Sequence, residues 1–383
     1  MPGIDRDRLG DLVESERARY VANHPKSAAL YAAADHLFGR VPMTWMNKWS
    51  GGFPLHLASA HGNRIKDVDV HEYIDFALGD TGAMAGHSPR ATARAVTERM
   101  STLGGITTML PTADAEWVAA ELARRFGLSK WSFTLSATDA NRWAVRIARL
   151  VTGRPKLISF AYGYHGTVDE TFVIVAPDGQ TLSRPGNVAP AVDPALTTRA
   201  AEWNELASVE RALAHGDVAA ILTEPALTNI GIVLPEPGFL AGLRELADKY
   251  GALLMIDETH TISTGPGGAT TAWGLSPDIF VIGKSIGGGV PCGAYGISDA
   301  VAAAVDAHAE ADLIDVGGVG GTLAGNALSM AAMRATLGEV LTDEAFAHMI
   351  ELATRFTEGV RGVIDAYAVP WSCLLYTSPS PRD

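Results

Sequence analysis

Pro277–Gly289, PDIFVIGKSIGGG, carries an apolar run that ends by delivering a single lysine, Lys284, into a glycine-rich turn. A run this short and this uniformly apolar reads as a strand buried on both faces of a parallel sheet. Ala252–Ile256 is a second such run, and it stops at Asp257-Glu258. In open α/β sheets ligands sit beyond the carboxyl ends of the strands, so these two ends offer an amine and a carboxylate to one crevice. A lysine buried there loses hydration, which disfavours its charged form and leaves a nucleophilic amine able to form a Schiff base with an aldehyde. Pyridoxal 5'-phosphate couples that chemistry to an acidic partner for its ring nitrogen, a role open to Asp257. Taken alone, the two residues equally suit a lysine snorkelling from a strand edge and an aspartate starting a turn.

A phosphate site strengthens the first reading. Trp131–Leu135 reads as a strand, followed by Ser136-Ala137-Thr138-Asp139 and then a helix with Ala144, Ile147, Ala148 and Val151 on one face and Gly153 as its stop. Ser-x-x-Asp before an apolar-periodic segment is a helix start, and a helix start presents free N–H groups and positive dipole to an anion. An ordinary capping box has the same spelling. Further along, Tyr162–Gly166 (YGYHG) follows the strand-like Lys156–Phe160 and offers an aromatic to stack on a planar group. Thr223-Glu224-Pro225 closes the run Val218–Leu222, with Asn229 soon after, and Gly320–Asn326 (GGTLAGN) lets backbone approach a ligand closely.

In this order the segments resemble the class III pyridoxal-phosphate aminotransferases, nearest the branch that contains glutamate-1-semialdehyde aminomutase. The resemblance runs from about Pro54 to about Leu341 and includes Gly62–Pro89, Pro225–Glu258, the lysine motif and GTLAGNALSMAA. It implies fold type I: a large domain with a mostly parallel seven-stranded sheet flanked by helices, plus a smaller α/β domain. It also implies Lys284 as the Schiff-base lysine and proton carrier, Asp257 beside the pyridine nitrogen, and Ser136, Ala137 and Thr138 as the phosphate loop. Tyr164 is implied as the stacking aromatic with His165 beside it, Asn229 near the phenolic oxygen, and Glu224 as an orienting group. Thr322 matches the residue that members lend to the phosphate of the neighbouring subunit, which implies a homodimer.

Departures from the pattern bear on the substrate. The phosphate loop has Ala137 where a glycine is usual, which is tolerable only if that residue does not need positive φ. Val70 stands where the opening motif carries glycine, so that turn is expected to differ. After Asp257-Glu258 comes Thr259-His260, and His260 suits equally a substrate-side group and a hydrogen-bonded structural histidine. An approximate alignment puts Met43–Met46, with Trp45, where aminomutases carry an arginine for the substrate carboxylate, and Trp or Met cannot replace a guanidinium. Arg40 lies just upstream and could serve instead. The expected activity is therefore amino transfer from an amino acid or amine to a separate keto acid. The alternatives are intramolecular transfer of the aminomutase kind and a fragment that binds cofactor without turnover.

Composition agrees. The chain has 383 residues, 47% hydrophobic and 19% charged, enough for a large core and two domains. A net charge of −13 gives no footprint for nucleic acid. Two cysteines and no Cys/His spacing predict neither disulfides nor a metal site. With no apolar leader or spanning segment, a cytoplasmic enzyme without membrane contact is expected. The expected division is 1–80 as N-terminal arm and part of the small domain, 81–330 as the cofactor-binding domain, and 331–372 as the start of a C-terminal small domain. Relatives are expected to continue for roughly 60–80 residues beyond Trp371, so the small domain reads as truncated, and 373–383 reads as a non-native tail resembling translated adapter sequence.

Overall fold

The computed structural model describes residues 5–308 and 317–375. Of the suspected tail, 376–383 lie outside the described residues. The chain forms two units, Met1–Leu78 with Gly86–Ser88, and Gly79–Ala85 with Pro89–Asp383.

In the first unit, α1 (Arg6–Asn23) starts at Asp5, whose carboxylate accepts from the Arg8 N–H, and α2 (Pro25–Ala32) starts on a proline. The arm is helical, but Leu9, Leu12 and Val13 stay exposed and α1 buries no residue. A three-stranded antiparallel sheet follows, β1 (Leu57–His61), β2 (Arg64–Asp67) and β3 (Glu72–Ile74). The turn between β2 and β3 holds Val70 at φ 70° with its side chain exposed. A left-handed conformation costs an L-residue about 1–2 kcal/mol, most for a β-branched one, and glycine returns about 0.5–1 kcal/mol of that as chain entropy. Val70→Gly is therefore expected to stabilise the protein by about 1 kcal/mol, read as a higher denaturant midpoint; an unchanged or lower midpoint would contradict the strain.

The second unit begins its helices with α3 (Arg90–Glu98) and α4 (Ala113–Phe126). It then alternates β4 (Lys130–Thr134), α5 (Ala137–Thr152), β5 (Lys156–Phe160), a small hairpin of β6 (Val173–Val175) and β7 (Thr181–Ser183), β8 (Thr198–Ala201), α6 (Leu206–Leu213), β9 (Val218–Thr223), α7 (Phe239–Tyr250) and β10 (Leu253–Asp257). After the one-turn α8 (Gly268–Ala272) come β11 (Ile279–Gly283), β12 (Gly293–Ile297), α9 (Asp299–Asp306), α10 (Ala327–Ala335) and the long α11 (Asp343–Ala366). The large sheet has seven strands in the order β4-β12-β11-β10-β9-β5-β8. β12 runs antiparallel to both of its neighbours, and the other six share one direction. This is the mostly parallel seven-stranded sheet expected for fold type I.

Period-two burial explains why these strands are apolar throughout. On β11, Ile279 and Val281 pack with Ala140, Ala144 and Ile147 of α5, while Phe280 and Ile282 turn to the opposite face against Leu122 of α4 and Met330 of α10. On β10, Met255 joins the α5 side, whereas Leu254 and Ile256 meet Leu243 and Ala247 of α7. With both faces covered, each such side chain contributes about 1.5–3 kcal/mol of burial, and a polar residue at any of these positions would be unpaired. Polar groups collect instead at the strand ends.

Candidate active site

Asp257 ends β10 level with Val281 of β11, and Lys284 follows β11 directly, so the carboxylate and the amine leave the sheet at the same end. Lys284 adopts φ 50°, a left-handed conformation unusual for a residue with a side chain. Its chain neighbours allow the turn, with Gly283 before it and Gly287–Gly289 closing it. Strain of this kind, held by the surrounding packing, collects at functional sites.

The Lys284 amine donates to Asp80 Oδ2 at 2.8 Å and lies 2.6 Å from His260 Nε2. His260 Nδ1 is 2.9 Å from Thr81 Oγ1. Burial, and next the charge of Lys284, hold the His260 imidazole below its ordinary pKa. It is thus neutral near pH 7, with Nε2 accepting from the ammonium and Nδ1–H directed to Thr81. Burial alone would raise the Asp80 carboxyl, but Lys284 holds it below the usual range.

Asp257 is fully enclosed. Its Oδ2 accepts from Asn141 Nδ2 at 2.8 Å and from His165 Nδ1 at 3.0 Å, and its Oδ1 accepts from Thr259 N at 3.0 Å and Thr259 Oγ1 at 2.6 Å. Burial by itself pushes this carboxyl up, yet His165, Thr259 and Asn141 together hold it lowered. The result is a fixed anion at the end of the central strand. Its neighbour Glu258 behaves oppositely: burial pushes it up to about 7 although Ala269 N, Thr270 N and Thr261 Oγ1 all donate to it. Glu258 ties the strand end to α8.

The start of α5 faces the same end of the sheet. Ser136 is its N-cap, with Oγ accepting from Asp139 N at 3.2 Å, and the amides of Ala137 and Thr138 have no acceptor among the described residues. Ala137 takes the glycine position of the usual loop without positive φ. Two glycines make room for this loop. A Cβ on Gly166 would lie 2.0 Å from Thr138 Oγ1, and one on Gly283 would lie 3.0 Å from Ala137 Cβ. Bare backbone therefore cradles an anion-ready helix start beside the lysine, and the residues present fit a phosphorylated pyridine aldehyde. The loop would take the phosphate, and Asp257 would take the protonated ring nitrogen.

The other candidates divide. His165 reaches Asp257 as described, and so helps hold the carboxylate. Tyr164 is partly exposed, its ring edge-on to Phe172 at 6.4 Å, and its N–H donates to Glu224 Oε1 at 3.2 Å. Glu224 also accepts from Thr228 N and Oγ1, at 3.1 Å and 2.6 Å, and burial raises its carboxyl. It thereby ties the loop after β5 to the loop after β9. Asn229 and Thr322 are exposed on loops of this unit, and no hydrogen bond of their side chains occurs among the described residues. Trp45 is exposed on a single helical turn of the first unit. Asn141, Thr259, Asp80 and Thr81 were not anticipated. Asn141 did leave a trace, being polar at a position of α5 in phase with the core residues Ala137, Ala144 and Ala148. Asp80 and Thr81 left none.

The family model described as aminotransferase class-III matches residues 45–369. A glutamate-1-semialdehyde 2,1-aminomutase of Gemmatimonas aurantiaca is 38% identical over 84% of this chain and 72% of its own length. Among solved structures, a glutamate-1-semialdehyde-aminomutase from Pseudomonas aeruginosa is similar with a TM-score of 0.93 and 47% identity, over 98% of this chain and 84% of that one. A transaminase with PLP bound is similar with a TM-score of 0.79 and 29% identity, over 91% of this chain and 81% of that one.

Proposed function

The chain belongs to the class III aminotransferases, whose cofactor is pyridoxal 5'-phosphate, and from that premise we propose that it moves an amino group from an amine or amino acid to a separate keto acid. When bound, the cofactor supplies an aldehyde carbon and an electron-accepting ring. Ser136, Ala137 and Thr138 would hold its phosphate, Tyr164 would supply the aromatic face for its ring, and Asn229 would serve its phenolic oxygen. Asp257 keeps a negative charge against the ring nitrogen, with His165, Asn141 and Thr259 preventing it from turning or taking up a proton. Lys284 Nζ carries the proton taken from and returned to the substrate carbon. His260 Nε2 offers a neutral acceptor 2.6 Å from that amine and so orients it. Thr322 contributes to the phosphate site of a second copy in a homodimer.

Arg40 is the observation that carries the choice of a two-substrate reaction. Arg40, the upstream arginine that the sequence offers in place of the carboxylate clamp, donates to Ala32 O at 2.8 Å, lies 3.7 Å from Asp35 Oδ1 and sits over the Tyr31 ring, contacts that all fall within its own unit. A substrate that needs no guanidinium clamp for a carboxylate, such as an amine, then suits the site better than one held by that clamp. The aminomutase reading keeps its own support in the names of the relatives.

Omission of the keto acid separates the two. Cofactor-loaded protein supplied with a panel of amine and amino-acid donors is expected to turn over only when a keto acid is added. Isomerised product from glutamate-1-semialdehyde with no keto acid present would overturn the two-substrate reading.

A further inference from the structure

His24, Asp67 and His71 form a cluster in the first unit that amino transfer does not use. His24 stands where α1 turns into α2, Asp67 closes β2, and His71 precedes β3. The ligand-capable atoms of all three lie within 4.8 Å of one another. Asp67 Oδ2 is 3.2 Å from His71 Nδ1 and 3.6 Å from His24 Nε2. An ion held tetrahedrally at about 2.0–2.1 Å from nitrogen and oxygen ligands needs those ligands about 3.3–3.4 Å apart, and the two edges bracket that value.

The surroundings are those of a metal site. His24 Nδ1 is tied to the Tyr20 carbonyl at 2.6 Å, which puts the ring hydrogen on Nδ1 and leaves Nε2 presenting a lone pair to the cluster. Asp67 Oδ1 is oriented by the His71 N–H at 2.9 Å. His24 and Asp67 are buried, at 7% and 3% exposure, while His71 is half-exposed and leaves one side open to solvent.

With the His24 ring hydrogen spent on Tyr20, the contacts from Tyr73 Oη to His24 Nε2 and to Asp67 Oδ2, each 2.8 Å, share one phenol hydrogen. Tyr73 Oη lies beside the cluster and is not counted among its ligands.

We propose that His24, Asp67 and His71 bind a divalent transition metal of zinc's class, with water completing its coordination. Imidazole and carboxylate donors without thiolate suit zinc and its neighbours better than magnesium or calcium. The ion joins the end of α1 to the three-stranded sheet within one unit, so its role is structural.

The test uses the cofactor-loaded full chain and zinc ion alone. After dialysis against micromolar zinc and removal of unbound metal, the wild type is expected to retain one zinc per chain more than His71→Ala, a truncation that the half-exposed position tolerates. Zinc should raise the unfolding temperature of the wild type and leave that of His71→Ala unchanged. Equal zinc contents in the two proteins would overturn the site. A measurement that needs no variant is cobalt(II) loading of the wild type, which should give the intense visible band of a tetrahedral centre. Absence of that band would overturn the site as well.

Discussion

Lys284→Ala is expected to lower turnover by at least about 10³-fold, because in the proposed function one residue carries both the covalent attachment and the proton transfer, and positioned acid–base catalysis alone contributes about 10²–10⁴-fold. The fold should survive. The lysine side chain is partly exposed and its partners are His260 and the exposed Asp80, so stability should change by no more than about 1 kcal/mol. Asp257, His165 and the α5 N-terminus remain, so the variant should still bind pyridoxal phosphate, now removable by dialysis. In the wild type, borohydride should fix the cofactor to the peptide containing Lys284. A modified lysine mapped to any other position would sink the assignment, as would turnover of the alanine variant within about tenfold of the wild type.

Asp257→Asn ranks second. The amide keeps the shape of the carboxylate but removes the charge proposed to face the ring nitrogen, and losing one preorganised electrostatic group costs about 10²–10³-fold in kcat. Both carboxylate oxygens receive donors, from Asn141 and His165 on one and from Thr259 on the other, so the new NH2 must oppose hydrogens whichever way it turns. That adds about 1–3 kcal/mol of destabilisation. The pH dependence has a definite sign. A carboxyl whose folded pKa is lowered contributes stability that is present above its unfolded value and lost as pH falls through the folded one. The wild type should therefore lose this part of its stability below about pH 4, and Asp257→Asn should show a shallower loss in the same window. A kcat within tenfold of the wild type, or identical acid-denaturation slopes, would contradict the role.

Legibility in the sequence followed locality. Lys284, Asp257 and Ser136 each sit at the end of a run whose periodicity named the element, and the direction of the parallel sheet then placed all three at one end. The α5 start was legible from Ser136 and Asp139, and its stop from Gly153. Val70 was legible as a departure from glycine, and the turn responds with a left-handed valine. Partner choice was not legible. Thr81 meets His260 across 179 residues and Asp80 meets Lys284 across 204, and no spacing rule connects such pairs. The His24, Asp67 and His71 cluster escaped for the same reason, since metal-site spacing describes ligands on one loop or helix and these come from a helix end and a strand turn.

Amino-acid order by itself determined the doubly covered parallel strands, the helix start that suits a phosphate, and the lysine and carboxylate at adjacent strand ends. Each of these is a pattern within about a dozen residues, set by burial period and capping chemistry. Tertiary structure alone decided what surrounds them: the neutral His260 against the lysine, the three donors that keep Asp257 charged, and the Arg40 guanidinium spent within its own unit. Hydrogen bonds between side chains distant in sequence depend on angstrom-scale packing, and only the folded chain supplies that.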